Sequence, residues 1–128
     1  MPEENDFLGK LEAVLKRLLS NNPDITIATI SSVEGLPIVS VIPRGSNETL
    51  ISAMVATLLS LSEKAVMDMN IGEFTQLYIK GIDGYLLVFE AGTGVLAVST
   101  TNDVKLGLIF FECEKAALEI SEILRKED

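Results

Sequence analysis

The residue types that most often carry catalysis are sparse in this chain, and histidine is absent from it. Histidine is the commonest general base near neutral pH and the commonest metal ligand, so the residue that most often fills these two roles is missing. Cys113 is the single cysteine, and without a histidine it has no partner for a papain-like pair. It falls on the apolar side of the last predicted helix, where a free cysteine packs as a small hydrophobe. We therefore predict a core position for Cys113.

Two further patterns resemble parts of functional sites. The segment Gly92-Thr93-Gly94 is glycine-rich, but it lacks the GxxxxGK[ST] pattern and joins two predicted strands, which predicts a hairpin turn. The acidic pairs Glu112/Glu114 and Glu119/Glu122 fall on the outer side of the last predicted helix, as expected of a solvated face. We predict no catalytic residue, no metal site, no cofactor and no enzyme activity.

Composition and charge describe an acidic globular chain. It has 128 residues, 48% hydrophobic and 23% charged, which suffices for one domain with a sizeable core. The net charge of −9 repels phosphates, and no basic patch offsets it, so nucleic acid is excluded as a partner. The N-terminus lacks an apolar signal core, and the apolar run 50–61 is far shorter than the roughly 20 residues that span a bilayer. These features predict a cytoplasmic protein without direct membrane insertion.

The spacing of apolar residues predicts the element order α-β-β-α-β-β-β-α. Glu34-Gly35 forms the turn of the first hairpin, Pro37 favours an edge position for the second strand, and Asn102 or Asp103 caps the last helix. No linker or repeat divides the chain, so residues 1–128 are predicted to form a single domain. The predicted helices cover residues 6–20, 48–69 and 103–126, and the predicted strands cover residues 25–30, 36–42, 73–81, 85–91 and 95–100.

The middle predicted helix has an apolar arc around about half of its circumference, wide enough to be buried against a sheet. Its other side carries small residues, which would let a second helix approach closely; a neutral exposed face is the alternative. The predicted arc consists of Leu50, Ile51, Met54, Val55, Leu58, Leu59, Leu61, Ala65, Val66 and Met69.

Geometry favours a packing surface on this helix. Five strands make a sheet roughly 20–25 Å wide, whereas one helix covers about 10 Å, so half of that face would stay bare. A twofold partner that supplies its own middle helix would cover it, with strand 73–81 as the edge joined across the dyad. The predicted homodimer interface consists of Ala53, Ala56, Thr57, Ser60, Lys64, Phe74, Gln76 and Tyr78.

The chain resembles the Roadblock / dynein light chain family over about residues 7–124. The resemblance implies an α/β fold of the α+β kind, a profilin- or longin-like sandwich. Its five-stranded antiparallel sheet has the order 2-1-5-4-3, with the middle helix on one face and the terminal helices on the other. It also implies dimers that join third strands edge to edge and set middle helices side by side. The matching pieces are, in order, NNPDITIATISSVEGLPIVS, SAMVATLLSLSEKA, MNIGEFTQLYIKGIDGYLLVFEAG, VLAVST and KLGLIFFECEKAALEI.

The resemblance also implies a function, that of a non-enzymatic regulator or scaffold for a small Ras-like GTPase, as in the prokaryotic, MglB-like members. Such proteins adjust the switch segments of the GTPase without donating a catalytic arginine. We predict that the paired middle helices present Glu63, Lys64 and Met67 to the GTPase, because a methionine flanked by charges suits an adaptable contact. A structural adaptor in a motor-like or membrane-associated complex is the alternative. A small-molecule sensor ranks third, because the strands offer mostly aliphatic side chains.

Overall fold

The computed structural model describes residues 2–127, with side chains from residue 6 onward, and has the predicted element order. Each helix is amphipathic or apolar along its length, and short turns join three of the four pairs of neighbouring strands. The helices are α1 (Pro2–Asn21), α2 (Glu48–Asp68) and α3 (Leu106–Lys126), and the strands are β1 (Ile25–Ser32), β2 (Pro37–Val41), β3 (Gln76–Lys80), β4 (Gly84–Ala91) and β5 (Gly94–Thr101).

The strands form one antiparallel sheet in the order β2-β1-β5-β4-β3, which confirms the predicted topology. Pro37 opens β2 at one edge of this sheet, where its missing N–H disturbs the ladder least. The turn before it places Gly35 at φ +97, a conformation that glycine adopts without a steric penalty. The other edge is β3, which pairs only with β4 among the described strands.

The helices cover the two faces of the sheet as predicted, α1 and α3 on one side and α2 on the other. Leu15 of α1 and Ile120 of α3 meet Ile30 and Leu87 of the sheet in the larger core cluster. Cys113 is fully buried in the same cluster, and burial raises the pKa of its thiol to about 12. The predicted core position of Cys113 is confirmed, and the thiol stays protonated at neutral pH.

Several element boundaries differ from the prediction. Helix α1 begins at Pro2, not at residue 6, and β1 extends to Ser32, not to residue 30. Helix α3 begins at Leu106, and Lys105 precedes it without a side-chain capping bond, so neither Asn102 nor Asp103 caps it. Asn102 has a tertiary role, since its amide donates to the Ile82 carbonyl and its oxygen accepts from Lys80. These bonds tie the end of β5 to the β3–β4 turn. Strand β3 covers only residues 76–80 of the predicted 73–81.

Candidate functional site

Helix α2 is held on the sheet by a narrow strip of its surface. Val55 and Leu59 are its apolar anchors, at 0% and 2% exposure, and they pack against Val88 and Val95 of the sheet. Ser52 is also fully buried, but its hydroxyl has no hydrogen-bond partner among the described residues. A buried hydroxyl without a partner weakens packing. The contact between α2 and its own sheet is therefore small and partly polar.

The outer side of α2, opposite this buried strip, is apolar and uncovered. Leu50, Met54 and Leu61 are 62%, 47% and 63% exposed, and their spacing places them on one side of the helix. By length and composition α2 is apolar enough to span a membrane, a property that it shares with core helices of soluble proteins. Unlike in a core helix, only 22% of its most apolar stretch is buried. The chain thus covers part of the predicted arc and leaves the rest bare.

The sheet is also uncovered on the α2 face, at its β3 edge. Leu77 and Ile79 of β3 pair with Val88 and Leu86, and so lie on the α2 face of the sheet. Ile79 is 42% exposed, because α2 does not extend over the edge strand. The outer backbone groups of β3 have no ladder partner among the described strands. The described residues therefore leave two apolar surfaces uncovered, the outer side of α2 and the β3 edge of the sheet.

Most of the small residues predicted at the dimer interface are accessible. Ala53, Thr57, Ser60 and Lys64 are exposed on the outer side of α2. They line an open groove of about 550 Å³ between the helix and the β1–β2 turn. The structure therefore leaves these four side chains free to contact another molecule.

Ala56 has a role within its own chain that the sequence reasoning missed. It is only 8% exposed, because the β1–β2 turn packs on it. A Cβ on Gly35 would lie 3.4 Å from the Ala56 Cβ and 3.3 Å from the Ala53 Cα. Small residues at positions 53 and 56 therefore serve the approach of the chain's own hairpin.

The predicted interface residues of the edge strand lie on opposite faces of the sheet. Phe74 precedes β3 and packs, half-buried, against the cluster under α2. Tyr78 projects to the α3 face, where its ring meets Phe110 edge-on with centroids 5.4 Å apart. Gln76 lies on that face too, since strand residues two apart point to the same side. Only a molecule joined along the β3 edge could reach all three side chains.

Two of the three predicted partner-binding residues share a cleft. Glu63 and Met67 line a space of about 410 Å³ at the C-terminal end of α2, together with Phe74, Glu73 and Glu90. Met67 is 68% exposed, so its flexible side chain is free to adapt to a partner.

Lys64 lies outside this cleft, in the groove on the other side of α2, and pairs with Asp68 at 2.9 Å. In the described part of the chain, no group of three metal-ligating side chains is arranged to hold an ion.

Glu90 also lines this cleft, beside the predicted contact residues Glu63 and Met67, although it was not predicted from the sequence. Burial raises the pKa of its carboxyl, and so do the hydrogen bond that the protonated carboxyl donates to Glu63 and the negative charges of Glu63 and Glu73. Period-two alternation places Glu90 on the α2 face of β4, but nothing local indicates that Glu63 meets it there. The cleft thus brings together carboxylates that repel one another at neutral pH.

This repulsion predicts a pH dependence of stability. A raised pKa means that folded Glu90 binds its proton more tightly than unfolded Glu90, whose ordinary value is 4.5. Its contribution to folding is therefore most favourable below that value and is lost as pH rises through the folded pKa. We expect the free energy of unfolding, measured with urea from pH 4.5 to pH 7, to decline less steeply with pH in Glu90→Gln than in the wild type. Glu34→Gln at the exposed β1–β2 turn is the control, and an unchanged decline in Glu90→Gln would contradict the pairing.

Comparison with known proteins identifies the family. The model of the Roadblock/LC7 domain matches residues 10–100. The chain belongs to the Roadblock/LC7 family. An uncharacterised protein of Methanocaldococcus jannaschii is 30% identical to it over 102 residues, which cover 80% of this chain and 90% of that relative. The family match ends before α3, so α3 is placed by the structure.

Solved structures confirm the Roadblock fold over nearly the whole chain. Myxococcus xanthus MglB superposes with a TM-score of 0.84 at 21% identity, covering 93% of this chain and 90% of that one. The gliding protein MglB from Thermus thermophilus superposes with a TM-score of 0.82 at 15% identity, covering 94% and 92%. This Roadblock domain is thus similar to MglB in fold, including the terminal helices.

Proposed function

We propose that this protein is a cytoplasmic, non-enzymatic homodimer that serves as a regulatory platform for a small Ras-like GTPase. Two observations carry the proposal together: the uncovered apolar side of α2, formed by Leu50, Met54 and Leu61, and the open edge of β3. Membership of the Roadblock/LC7 family supports it, since the resemblance seen in the sequence implies dimeric regulators of this kind. In this proposal the protein binds no nucleic acid or cofactor and does not insert into a membrane.

The dimer that we propose joins the β3 strands of two copies into one continuous sheet. An edge strand has unpaired N–H and C=O groups that template such pairing. The same operation would bring two copies of Ile79 together, and we expect the uncovered sides of the two α2 helices to pack against each other. Burial of Leu50, Met54 and Leu61 from each copy would then contribute roughly 25 cal/mol for every Å² removed from water.

The proposed GTPase contact is the cleft at the C-terminal end of α2. It combines an exposed, adaptable Met67 with the carboxylates of Glu63, Glu73 and Glu90 around it. An apolar centre within a polar rim is the common composition of a transient protein interface. Because two copies of α2 would lie side by side, two such clefts would flank the dyad.

The experiment measures binding of a Ras-like GTPase from the source cell, recovered by pull-down and loaded with GDP or a non-hydrolysable GTP analogue. We expect the wild type to prefer one nucleotide state and Met67→Asp to weaken that binding at least tenfold, since it puts a charge at the contact centre. Leu118→Asp is the matched control, because Leu118 is 70% exposed on α3, across the sheet from α2. This variant should bind the GTPase as the wild type does.

Three outcomes would contradict the proposal. Equal binding to both nucleotide states would favour the passive structural adaptor. Unchanged binding by Met67→Asp would place the contact elsewhere. Tight binding of GTP or ATP by this chain alone would overturn the non-enzymatic assignment.

A further inference from the structure

Helix α3 exposes an apolar stripe on the side away from the core. Leu108, Phe111 and Leu118 are 55%, 56% and 70% exposed. Their spacings of three and seven residues place them along one side of the helix, opposite the buried Cys113. The stripe extends over ten residues, which is about 15 Å of helix. Neither the core nor the proposed GTPase contact uses it.

A small pocket adjoins this stripe at the edge of the sheet. Helix α3 packs on β4 and β5, so the side chains of β3 on this face remain open, and Tyr78 is 54% exposed. Between α3 and the edge lies a pocket of about 230 Å³, with Phe89 and Ala117 in its wall and Leu118 and Gln76 among its other lining residues. A helix laid along the stripe could place one side chain in this pocket.

The charges around the stripe and the pocket favour a partner with basic residues. Glu114 of α3 lines the pocket, and no described lysine or arginine lines it. Glu90 borders the pocket as well, but its side chain lies on the α2 face of the sheet with Glu63. The nearest base along the stripe, Lys115, is balanced by Glu112 at 3.8 Å and lies over the Phe111 ring at 5.4 Å. A chain with a net charge of −9 also attracts basic partners over a distance. A second copy of this acidic face, or an anionic membrane, would be repelled.

We propose that α3 and the adjoining sheet edge dock a basic amphipathic helix of another protein. Its apolar residues pack on Phe111 and Leu118, and one lysine or arginine enters the pocket beside Glu114. Pairing of β3 edges uses backbone groups in the plane of the sheet and brings the second copy beside Gln76 and Tyr78, whereas Phe111, Glu114 and Leu118 of α3 stay open in the dimer. The docking site therefore does not depend on the proposed dimer or GTPase contact.

The test uses the full chain and an 18-residue helical peptide with leucines on one side and lysines flanking them. Fluorescence anisotropy at 0.1 M salt should show micromolar binding, weakened at least tenfold by Phe111→Ser or Leu118→Ser and several-fold by Glu114→Gln. A peptide with glutamates in place of the lysines should bind at least tenfold more weakly. Leu36→Ser is the control, since Leu36 is 66% exposed in the β1–β2 turn, away from α3.

The proposal is overturned if the lysine peptide does not bind, or if both stripe variants bind it like the wild type. Equal binding of the glutamate peptide, or Leu118-dependent binding to phosphatidylglycerol vesicles, would overturn it too. Failure here is separable from failure of the GTPase proposal. Leu118→Ser should abolish peptide binding and keep GTPase binding, whereas Met67→Asp should do the reverse.

Discussion

Leu61→Glu is expected to convert the homodimer into monomers at micromolar concentration. Leu61 is 63% exposed in the single chain, so the substitution leaves the fold of each copy intact. In the dimer the carboxylate would be buried without a partner, which costs several kcal/mol for a charge, and twofold symmetry introduces it twice. We expect the dimer dissociation constant to rise at least a hundredfold, as measured by sedimentation equilibrium.

The control for this experiment is Leu118→Glu, the same change on the opposite face, which should remain dimeric. Ala56→Glu is less informative, because Ala56 is covered by the chain's own β1–β2 turn and its substitution would also destabilise the monomer. Sedimentation of the wild type near the monomer mass of 13.9 kDa, or an unchanged dimer in Leu61→Glu, would contradict the assignment of this surface.

Gly84→Ala is expected to destabilise the fold by about 3 kcal/mol, because glycine is required where β4 begins. A Cβ on Gly84 would lie 2.0 Å from the Thr100 carbonyl oxygen and 3.1 Å from its carbonyl carbon. Both atoms belong to the backbone of β5, so no side-chain rotation relieves the overlap. The strands must separate at this end, which should lower the urea midpoint of unfolding markedly.

Gly107→Ala is the matched control for the glycine experiment. A Cβ on Gly107 would meet no described atom within 4 Å, and the residue lies in the first turn of α3. Alanine favours helix by up to about 1 kcal/mol over glycine, so this variant should be as stable as the wild type or more so. A loss in Gly84→Ala no larger than the change in Gly107→Ala would contradict the close contact between β4 and β5.

Local periodicity was sufficient to predict the elements and the buried sides of α1, α3 and β4, but not that of α2, where Ser52 and Ala56 are buried although they lie outside the predicted arc. The apolar spacing in α1 and α3 and the alternation in β4 each indicate a buried side, and Pro37 correctly indicated an edge strand. Local signals could not predict how much of the arc on α2 its own sheet would cover. Leu59 and Leu61 look equivalent in sequence, yet one is 2% and the other 63% exposed.

The site depends on contacts between residues distant in sequence, which no spacing rule supplies. Glu63 meets Glu90 across the boundary between α2 and β4, and Gly35 packs on Ala56 from a separate hairpin. Asn102 looked like a helix cap but binds the β3–β4 turn. In each case the residue type allowed several roles, and a contact with a residue distant in sequence determined which role it has.

Amide hydrogen exchange tests the central claim, GTPase docking on α2, most directly. The protein would be measured alone and with the Ras-like GTPase in its preferred nucleotide state. We expect slower exchange in residues 59–68 of α2 and no change in residues 106–126 of α3. Unchanged exchange in α2, or protection confined to α3, would contradict the proposed platform.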